Sequence, residues 1–450
     1  MGGLIEMIKK LLVLFLMIFA ITGLCACEDE EGTEPSVDVN IKDVDLENVQ
    51  ITFWNPITGP DAVYMQDLIK NFNQAYKGKI EVKADSQSEA NHYQRILTSF
   101  SDNSTADLCM VHKSRLSTYY RANKLRDLTS LISELGLNSE DYVGDNWTSG
   151  EFDGKMYGIT YDILPIVLFY NRNLIPAGYT EADILADDFT LDKMLEMMKA
   201  AYKDAPMANK KVYGMAFNYG YTENMFVSFL NQQGAHIVDP AIPTTPTYAN
   251  AAGYAAAEAV RSIPFTKTDA GLKTSSESGT DHLNVFMQGR ALFTIDGIWS
   301  APDACNKDYL DKLNAGVALL PKINAEASRS VFADGHSFVM FNTNKSNADK
   351  DLAVSVFLEY LIENSSYWCQ GGKIASRSDV LQNEDYQKLE WAYLSNKLSS
   401  FVSPDKVYSF DTLSNPIGKY VAELCEGTMT DVEAAINQAA QDGRQAAEQI

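Results

Sequence analysis

Three stretches of the chain set an aromatic ring beside an amide or a carboxylate. They are Trp54-Asn55, Asn218-Tyr219-Gly220-Tyr221 and Asp296-Gly297-Ile298-Trp299. A flat ring can cover an apolar CH face, while Asp, Asn, His or Arg satisfies the hydroxyls around it; this is the apolar wall with few polar groups of a small-molecule site. Carbohydrate rings present that pairing of face and rim. Core packing is the commoner fate of Trp and Tyr, so each ring has a structural alternative. Ser86, His112, Lys113, Arg115, Asp162 and His336 complete the candidate set. Asp162 lies inside an apolar run, where a carboxylate needs a partner or water. Arg115 could equally hold Asp107 in a structural pair.

Other chemistries find little support. The chain has no GxSxG, GxxxxGK[ST], HExxH or GxGxxG motif. The five histidines have no ligand spacing, and no CxxC pair exists. Asp38, Asp43 and Asp45 lack the glycine and terminal Glu of a calcium loop. No metal and no cofactor are therefore expected. A glycosidase carboxylate pair stays open, because carboxylates are plentiful and nothing singles one pair out.

The elements that would position these residues read as an open α/β sheet. Strands are expected at Val49–Asn55, Lys79–Lys83 and Leu108–Val111, with helices at Ala62–Tyr76 (Asp61 as N-cap), His92–Phe100 and Ser117–Asn123. Ligands of such sheets sit beyond the carboxyl ends of the strands, here Trp54-Asn55, Asp85-Ser86 and His112-Lys113. Met156 to Tyr170 is too long for one ordinary strand of about 5–6 residues, and Asp162 and Pro165 interrupt it. It reads as two strands joined by a kinked crossing from Gly158 to Pro165. Such a crossing implies two lobes and a cleft, with Asp162 facing the cleft. Further on, helices are expected at Leu191–Tyr202, Asn224–Gln232, Tyr248–Ile263, His282–Gln288 and Asn347–Asn364. Strands are expected at Tyr213–Asn218, Ala291–Ile295, Gly316–Pro321 and Ser337–Phe341. Asp239–Thr247, with its prolines, reads as loop, and the tail from Leu381 as mostly helix.

Length and composition suit this picture. The chain has 450 residues, 46% hydrophobic and 11% aromatic, and a net charge of −23. It can bury a large core. It shows no basic stripe of the kind that phosphate backbones require, so nucleic acid is not an expected partner. Lys9 and Lys10 precede an apolar run, Leu11–Leu24, shorter than a membrane span of about 20 residues and suited to a signal-peptide core. The run ends in Leu24-Cys25-Ala26-Cys27, which resembles a bacterial lipobox. Residues 1–26 would be the signal peptide and Cys27 the lipidated first residue; an ordinary cleaved signal is the alternative. Residues 27–48, rich in carboxylates, read as a flexible tether. Cys109, Cys305, Cys369 and Cys425 read as scattered thiols.

Several blocks in order resemble the bacterial extracellular solute-binding protein family 1, the maltose-binding-protein-like lipoproteins of ABC transporters. They are ITFWN, GPD, LIKNFNQAY and GKIEV; HYQRILTSF through RDL; FDGKMYGITYDILPIVLFYNRNLI; FMQGRALFTIDGIWS with GVALLPKI; and SFVMFNTNKSNADKDLAVSVFLEYL. The resemblance covers nearly all of 49–450. It implies a periplasmic-binding-protein-like α/β fold, two lobes with crossover hinge strands and a ligand cleft. The lobes would be 49–160 with 331–380, and 161–330 with 381–450. It maps binding positions onto Trp54, Asn55, His112, Lys113, Arg115, Tyr219, Tyr221 and Trp299, and a hinge polar position onto Asp162. Gly335-His336 stands where the family has Gly-Gly. The implied protein is a monomer without enzyme activity, lipid-anchored and outward-facing. It would bind a sugar or oligosaccharide and pass it to permease subunits. A non-sugar solute such as a polyamine or peptide, or a secreted glycoside hydrolase, is the alternative.

Overall fold

The computed structural model describes residues 42–203, 211–239, 242–264, 271–274, 281–305, 313–342, 346–407 and 409–448. In chain order, the first part runs β1 (Val49–Asn55), α1 (Ala62–Ala75), β2 (Ile80–Ser86), α2 (Glu89–Ser99), β3 (Leu108–His112) and α3 (Lys113–Arg121). Then come β4 (Ile159–Thr160), β5 (Asp162–Asn171), α4 (Leu191–Ala201), β6 (Tyr213–Asn218), α5 (Thr222–Asn231) and α6 (Ala251–Ser262). The rest is β7 (Gly271–Thr274), β8 (Ala291–Gly297), β9 (Ala315–Ala318), β10 (Val331–Asp334), β11 (His336–Val339), α7 (Ala348–Glu363), β12 (Ile374–Ala375), β13 (Phe401–Val402), α8 (Phe410–Glu426) and α9 (Val432–Ala447).

These strands form two sheets, one for each α/β lobe. The smaller has the order β2-β1-β3-β11-β4. Its first three strands are parallel, with Trp54 beside both Asp85 and Cys109, and β11 runs antiparallel with His336 opposite His112. The larger has the order β7-β6-β8-β5-β10-β13, and β9 and β12 also pair with β5. Apolar side chains cover both. In the smaller lobe Phe53 packs edge-on against Phe357, and Phe357 against Phe72. In the larger, α8 illustrates the logic: Phe410, Leu413, Ile417, Val421 and Leu424 recur at helical spacing and are all buried. Each contributes roughly 1.5–3 kcal/mol by leaving water. Gly427, at φ 78°, ends this helix in the left-handed conformation that glycine adopts without a Cβ penalty.

The chain changes sheets twice at one place. β4 lies in the smaller sheet and β5 in the larger, with Tyr161 between them; β10 lies in the larger and β11 in the smaller, with Gly335 between them. The return crossing is therefore at Gly335 and not at 331, because Ala333 and Asp334 of β10 still pair with Pro165 and Leu164. The Tyr161 amide donates to the His336 carbonyl at 2.8 Å. A Cβ on Gly335 would lie 2.2 Å from the Asp162 carbonyl oxygen, so the two crossings approach more closely than any side chain would permit.

Asp162 locks this junction instead of facing the cleft. It has no exposed surface. Its carboxylate accepts from the His336 amide at 2.7 Å, from His336 Nδ1 at 2.8 Å and from Trp368 Nε1 at 2.7 Å. Burial acts to raise its pKa, but the His336 ring and amide and the charge of Lys373 outweigh it and hold the carboxyl below the usual carboxylate range.

Other expectations also changed. β5 continues through Pro165, because the strand changes partners there, from β12 at Asp162 and Ile163 to β10 at Leu164 and Pro165 and β8 from Ile166 onward. Asp61 is not a helix cap; its backbone is already helical and its carboxylate holds Lys373 Nζ at 2.7 Å. The end of the expected tether is fixed to the body. Leu46 is buried, the Lys42 amide donates to the Tyr76 hydroxyl at 2.9 Å, and Asp43 pairs with Lys79 at 2.7 Å. Within Asp239–Thr247, residues Ile242–Pro246 pair with Val238–Asp239 as a short antiparallel ladder. Cys27 and the signal segment lie outside the described residues.

Removing the Asp162 carboxylate would leave buried donors on His336 and Trp368 without an acceptor. Asp162→Ala should cost about 3–5 kcal/mol, read as a lower urea midpoint at unchanged slope. Because the native pKa is depressed, this contribution is complete above roughly pH 4 and is lost as pH falls through the native pKa. A wild-type midpoint at neutral pH would show that the carboxylate braces nothing.

Candidate functional site

Two adjoining cavities open between the lobes. The larger, about 400 Å3, is lined by Glu89, His112, Ser114 and Arg115 from the smaller lobe. The larger lobe contributes Leu164, Ile166, Tyr221, Glu223, Asn224, Trp299, Phe332, Asp334, Phe410, Asp411 and Asn415. The second, about 260 Å3, is lined by the loop Pro56-Ile57-Thr58-Gly59, by Asp61, His336 and Lys373, and again by Glu89, His112, Leu164 and Trp299. The four shared residues make the pair one continuous cleft.

Each functional side chain is placed by an element end. His112 closes β3. The Tyr93 hydroxyl accepts from its amide at 2.9 Å and pairs with its Nδ1 at 2.5 Å, which fixes the ring. Arg115, in the first turn of α3, lays its guanidinium 4.2 Å over the Tyr93 ring and pairs through Nε with Asp411 at 2.5 Å. This corrects the alternative pairing with Asp107, which instead binds Lys350 at 2.8 Å and Thr52. Trp299 follows β8 in a short 3-10 turn, and its ring lies flat against Gly297, where a Cβ would sit 2.1 Å from it. Tyr221 stands 6.2 Å from both the Trp299 and His282 rings.

Burial sets the electrostatics. Glu223 is pushed up to about 7, chiefly by burial, with Asp411 and Glu89 adding repulsion. Asp411 is pushed up to about 6 by burial, although Arg115 opposes the shift. Burial, with Asp296 alongside, drives the Tyr221 hydroxyl far above the ordinary tyrosine range, so it is a neutral donor. In the second cavity Lys373 and Asp61 form a buried pair at 2.7 Å.

Of the sequence candidates, His112, Arg115, Tyr221, Trp299 and His336 meet at the cleft. The others line neither cavity. Trp54 is buried beneath the Arg95 guanidinium, 3.7 Å from its ring centre. Asn55 is fully buried; its Oδ1 accepts from the Ile57 amide and the Ser86 hydroxyl, while its Nδ2 has no partner. Both Asn55 and Ser86 therefore shape the loop that carries Ile57. Lys113 is buried against Asn146 and Ser403, at 3.2 and 3.1 Å. Tyr219 packs edge-on against Phe217. Asp296 is buried one layer behind Tyr221, bound to His282 Nε2 at 2.9 Å.

Sequence reasoning missed Glu89, Glu223, Asp334 and Asp411. Glu89, Glu223 and Asp411 each follow a turn and open an apolar helical stripe, which marks a helix start and not the cavity it lines.

A model of the bacterial extracellular solute-binding protein family matches residues 67–391. The chain belongs to that family. No curated protein matches it in sequence. Solved structures match its fold. The GacH receptor of Streptomyces glaucescens, solved unliganded and with acarbose, aligns at TM-score 0.73 and 17% identity, over 89% of this chain and 98% of that one. Lmo0181 from Listeria monocytogenes, in complex with cycloalternan, aligns at TM-score 0.72 and 18% identity, over 88% and 98%. The MalE domain of Bdellovibrio bacteriovorus, bound to maltotriose, aligns at TM-score 0.72 and 17% identity, over 89% and 99%.

In this solute-binding protein the cleft lies between two lobes joined by crossing strands. No helix among the described residues is long and apolar enough to cross a membrane. The Arg115–Asp411 pair joins α3 of one lobe to α8 of the other across the cavity. Arg115→Gln should therefore move the Asp411 titration above its wild-type value of about 6, because the opposing charge is lost while burial stays. Carboxyl-carbon NMR reads the shift, and an unmoved midpoint would mean that the pair does not form in solution.

Proposed function

We propose that this protein captures a sugar or oligosaccharide in the interlobe cleft and delivers it to the permease subunits of an ABC importer. The observation that carries this reading is the cleft wall. Trp299 and Tyr221 present ring surface from the larger lobe, and His112 and Arg115 present polar groups from the smaller. A sugar between them would have its CH face covered and its hydroxyls bound from both lobes at once. Ligand contacts made to both lobes favour the closed arrangement and shift the population toward it. His336 and the Pro56–Gly59 loop extend the surface into the second cavity, leaving room for more than one ring.

The protein works as a monomer without catalysis, held on the outer face of the cell membrane by lipid on Cys27. Metabolic labelling with palmitate should tag the wild type and not Cys27→Ser; label on both would move the anchor elsewhere.

Trp299→Ala should lower saccharide affinity by roughly 1–3 kcal/mol, the usual loss of an aromatic anchor. Thermal-shift screening across mono- and oligosaccharides finds the ligand, since a molecule bound only by the folded form raises Tm, and calorimetry then measures the variant. Equal affinity in the two proteins would remove Trp299 from the site. New reducing ends on incubation with glycans would replace the binding reading with a hydrolytic one.

A further inference from the structure

His112 and His336 stand opposite each other on neighbouring strands, with ring centres 5.0 Å apart, and both line the second cavity. Each ring is held through its Nδ1, and the two holds have opposite sense. The Tyr93 hydroxyl accepts from the His112 amide at 2.9 Å and lies 2.5 Å from His112 Nδ1. Burial drives that phenol far above the ordinary tyrosine range, so it keeps its proton. Among the described residues, His112 Nδ1 is the only acceptor within reach of that proton. A proton on Nδ1 would leave the buried phenol without an acceptor, at a cost in free energy. Neutral His112 therefore carries its proton on Nε2. His336 is the reverse. Its Nδ1 lies 2.8 Å from the ionised Asp162 carboxylate, which can only accept, so Nδ1 carries the proton. In a neutral imidazole this leaves Nε2 as a bare acceptor.

Neither Nε2 has a hydrogen-bond partner among the described residues. His336 is only 4% exposed, so its open nitrogen belongs to a buried side chain on the cavity wall. A buried polar group with no partner in the protein points to one from outside. Lys373 and Asp61, the other polar pair of this cavity, satisfy each other at 2.7 Å. The histidines thus present one N–H and one bare nitrogen side by side. At ordinary hydrogen-bond lengths a single oxygen bridges two nitrogens about 5 Å apart, comparable with the separation of these ring centres.

We propose that the second cavity is a hydroxyl-selective subsite, in which His112 Nε2 donates to one sugar hydroxyl and His336 Nε2 accepts that hydroxyl's proton. This deepens the saccharide reading above and rests on it. A hydroxyl both accepts and donates, so it satisfies both rings. An ether oxygen, a fluorine or a carboxylate only accepts, and sets a lone pair against that of His336. An ammonium only donates, and meets the His112 N–H. An oxygen already in a glycosidic linkage is such an ether. The sugar ring in this cavity is therefore uncharged and unlinked at the position that reaches the strand crossing. Tyr93 and Asp162 are positioning residues here. Each sets which nitrogen of a histidine carries the proton, and neither lines the cleft.

The test has two arms, both at pH 8, where an ordinary imidazole is neutral. The first needs no ligand. Two-bond 1H–15N correlation NMR on protein labelled in its histidine rings reads which nitrogen carries the proton. His112→Gln and His336→Asn assign the signals by their loss; should either fail to fold, Tyr93→Phe identifies His112 as the ring whose pattern changes. The expected proton is on Nε2 in His112 and on Nδ1 in His336. Any other pattern, including protonation of His336 on both nitrogens, would overturn the subsite and leave the saccharide reading standing. The second arm is calorimetry with the saccharide that raises Tm most in the screen above, as the parent and as its single-position deoxy, deoxyfluoro and O-methyl forms. At one position all three forms should bind at least about tenfold more weakly than the parent, the loss expected when a buried partner goes unpaired. His336→Asn keeps a donor toward Asp162 but no acceptor at the Nε2 position. In that variant the parent should weaken and its advantage over the deoxyfluoro form shrink to about twofold or less. Deoxyfluoro forms equal to the parent at every position, or an advantage that survives in His336→Asn, would overturn the subsite alone. A screen in which no saccharide raises Tm would remove the saccharide reading and the subsite with it.

Discussion

The structure depends on a carboxylate that never touches solvent. Asp162 receives three hydrogen bonds where the two crossing strands meet, two from His336 on the returning strand and one from Trp368. Without an ion of suitable sign nearby, burying such a group would cost several kcal/mol. The His336 ring and Lys373 reduce that cost. In return the two crossings are held in one register. That register places His336 opposite His112, with their rings 5.0 Å apart and both on the cleft wall. The same residue thus belongs to the strand crossing on one side and to the cleft wall on the other.

A similar layering recurs around the cleft. The residues that line it are backed by buried polar pairs: Asp296 with His282 behind Tyr221, Tyr93 behind His112, and Asp61 with Lys373 at the floor of the second cavity. Such pairs add little net stability, since desolvation offsets most of their attraction. Their effect is positional. The first two fix a rotamer one layer beneath the surface that a ligand would meet; Asp61 and Lys373 line the second cavity themselves. Preorganised side chains lose less conformational freedom when the ligand arrives.

Much of the architecture was legible in the sequence because it follows from periodicity. The alternation of apolar strands and amphipathic stripes places β1 through α3 in order, and the interrupted run around Asp162 marks the change of sheet. The aromatic after Gly297 was legible because only a glycine there lets Trp299 lie flat on the backbone. What could not be read was direction. Trp54, Asn55 and Asp296 have the right residue types at strand ends, yet their side chains turn inward, to Arg95, to Ser86 and to His282. In a strand, one residue of shift exchanges the two faces, and no local pattern says which face a strand end shows to the cleft. The acidic wall was hidden for another reason. Glu89, Glu223, Asp334 and Asp411 are far apart in sequence; three of them open helices and Asp334 ends β10, so each alone looks ordinary. Only the convergence of these element ends makes them a surface.

Those ends bear on how the lobes close. Arg115 and Asp411 join α3 to α8, one helix from each lobe, in a direct contact across the cleft. Their side chains keep 28% and 19% of their exposure. Pairs of that kind, mostly buried, add little net stability because desolvation offsets most of their attraction. A bond that weak cannot hold the lobes shut by itself, nor does it resist being shared with an incoming group. The strong contact, at Asp162, lies where the strands cross between the lobes. Strength at the crossing and weakness across the opening would let a bound molecule supply the deciding free energy if the lobes close around it.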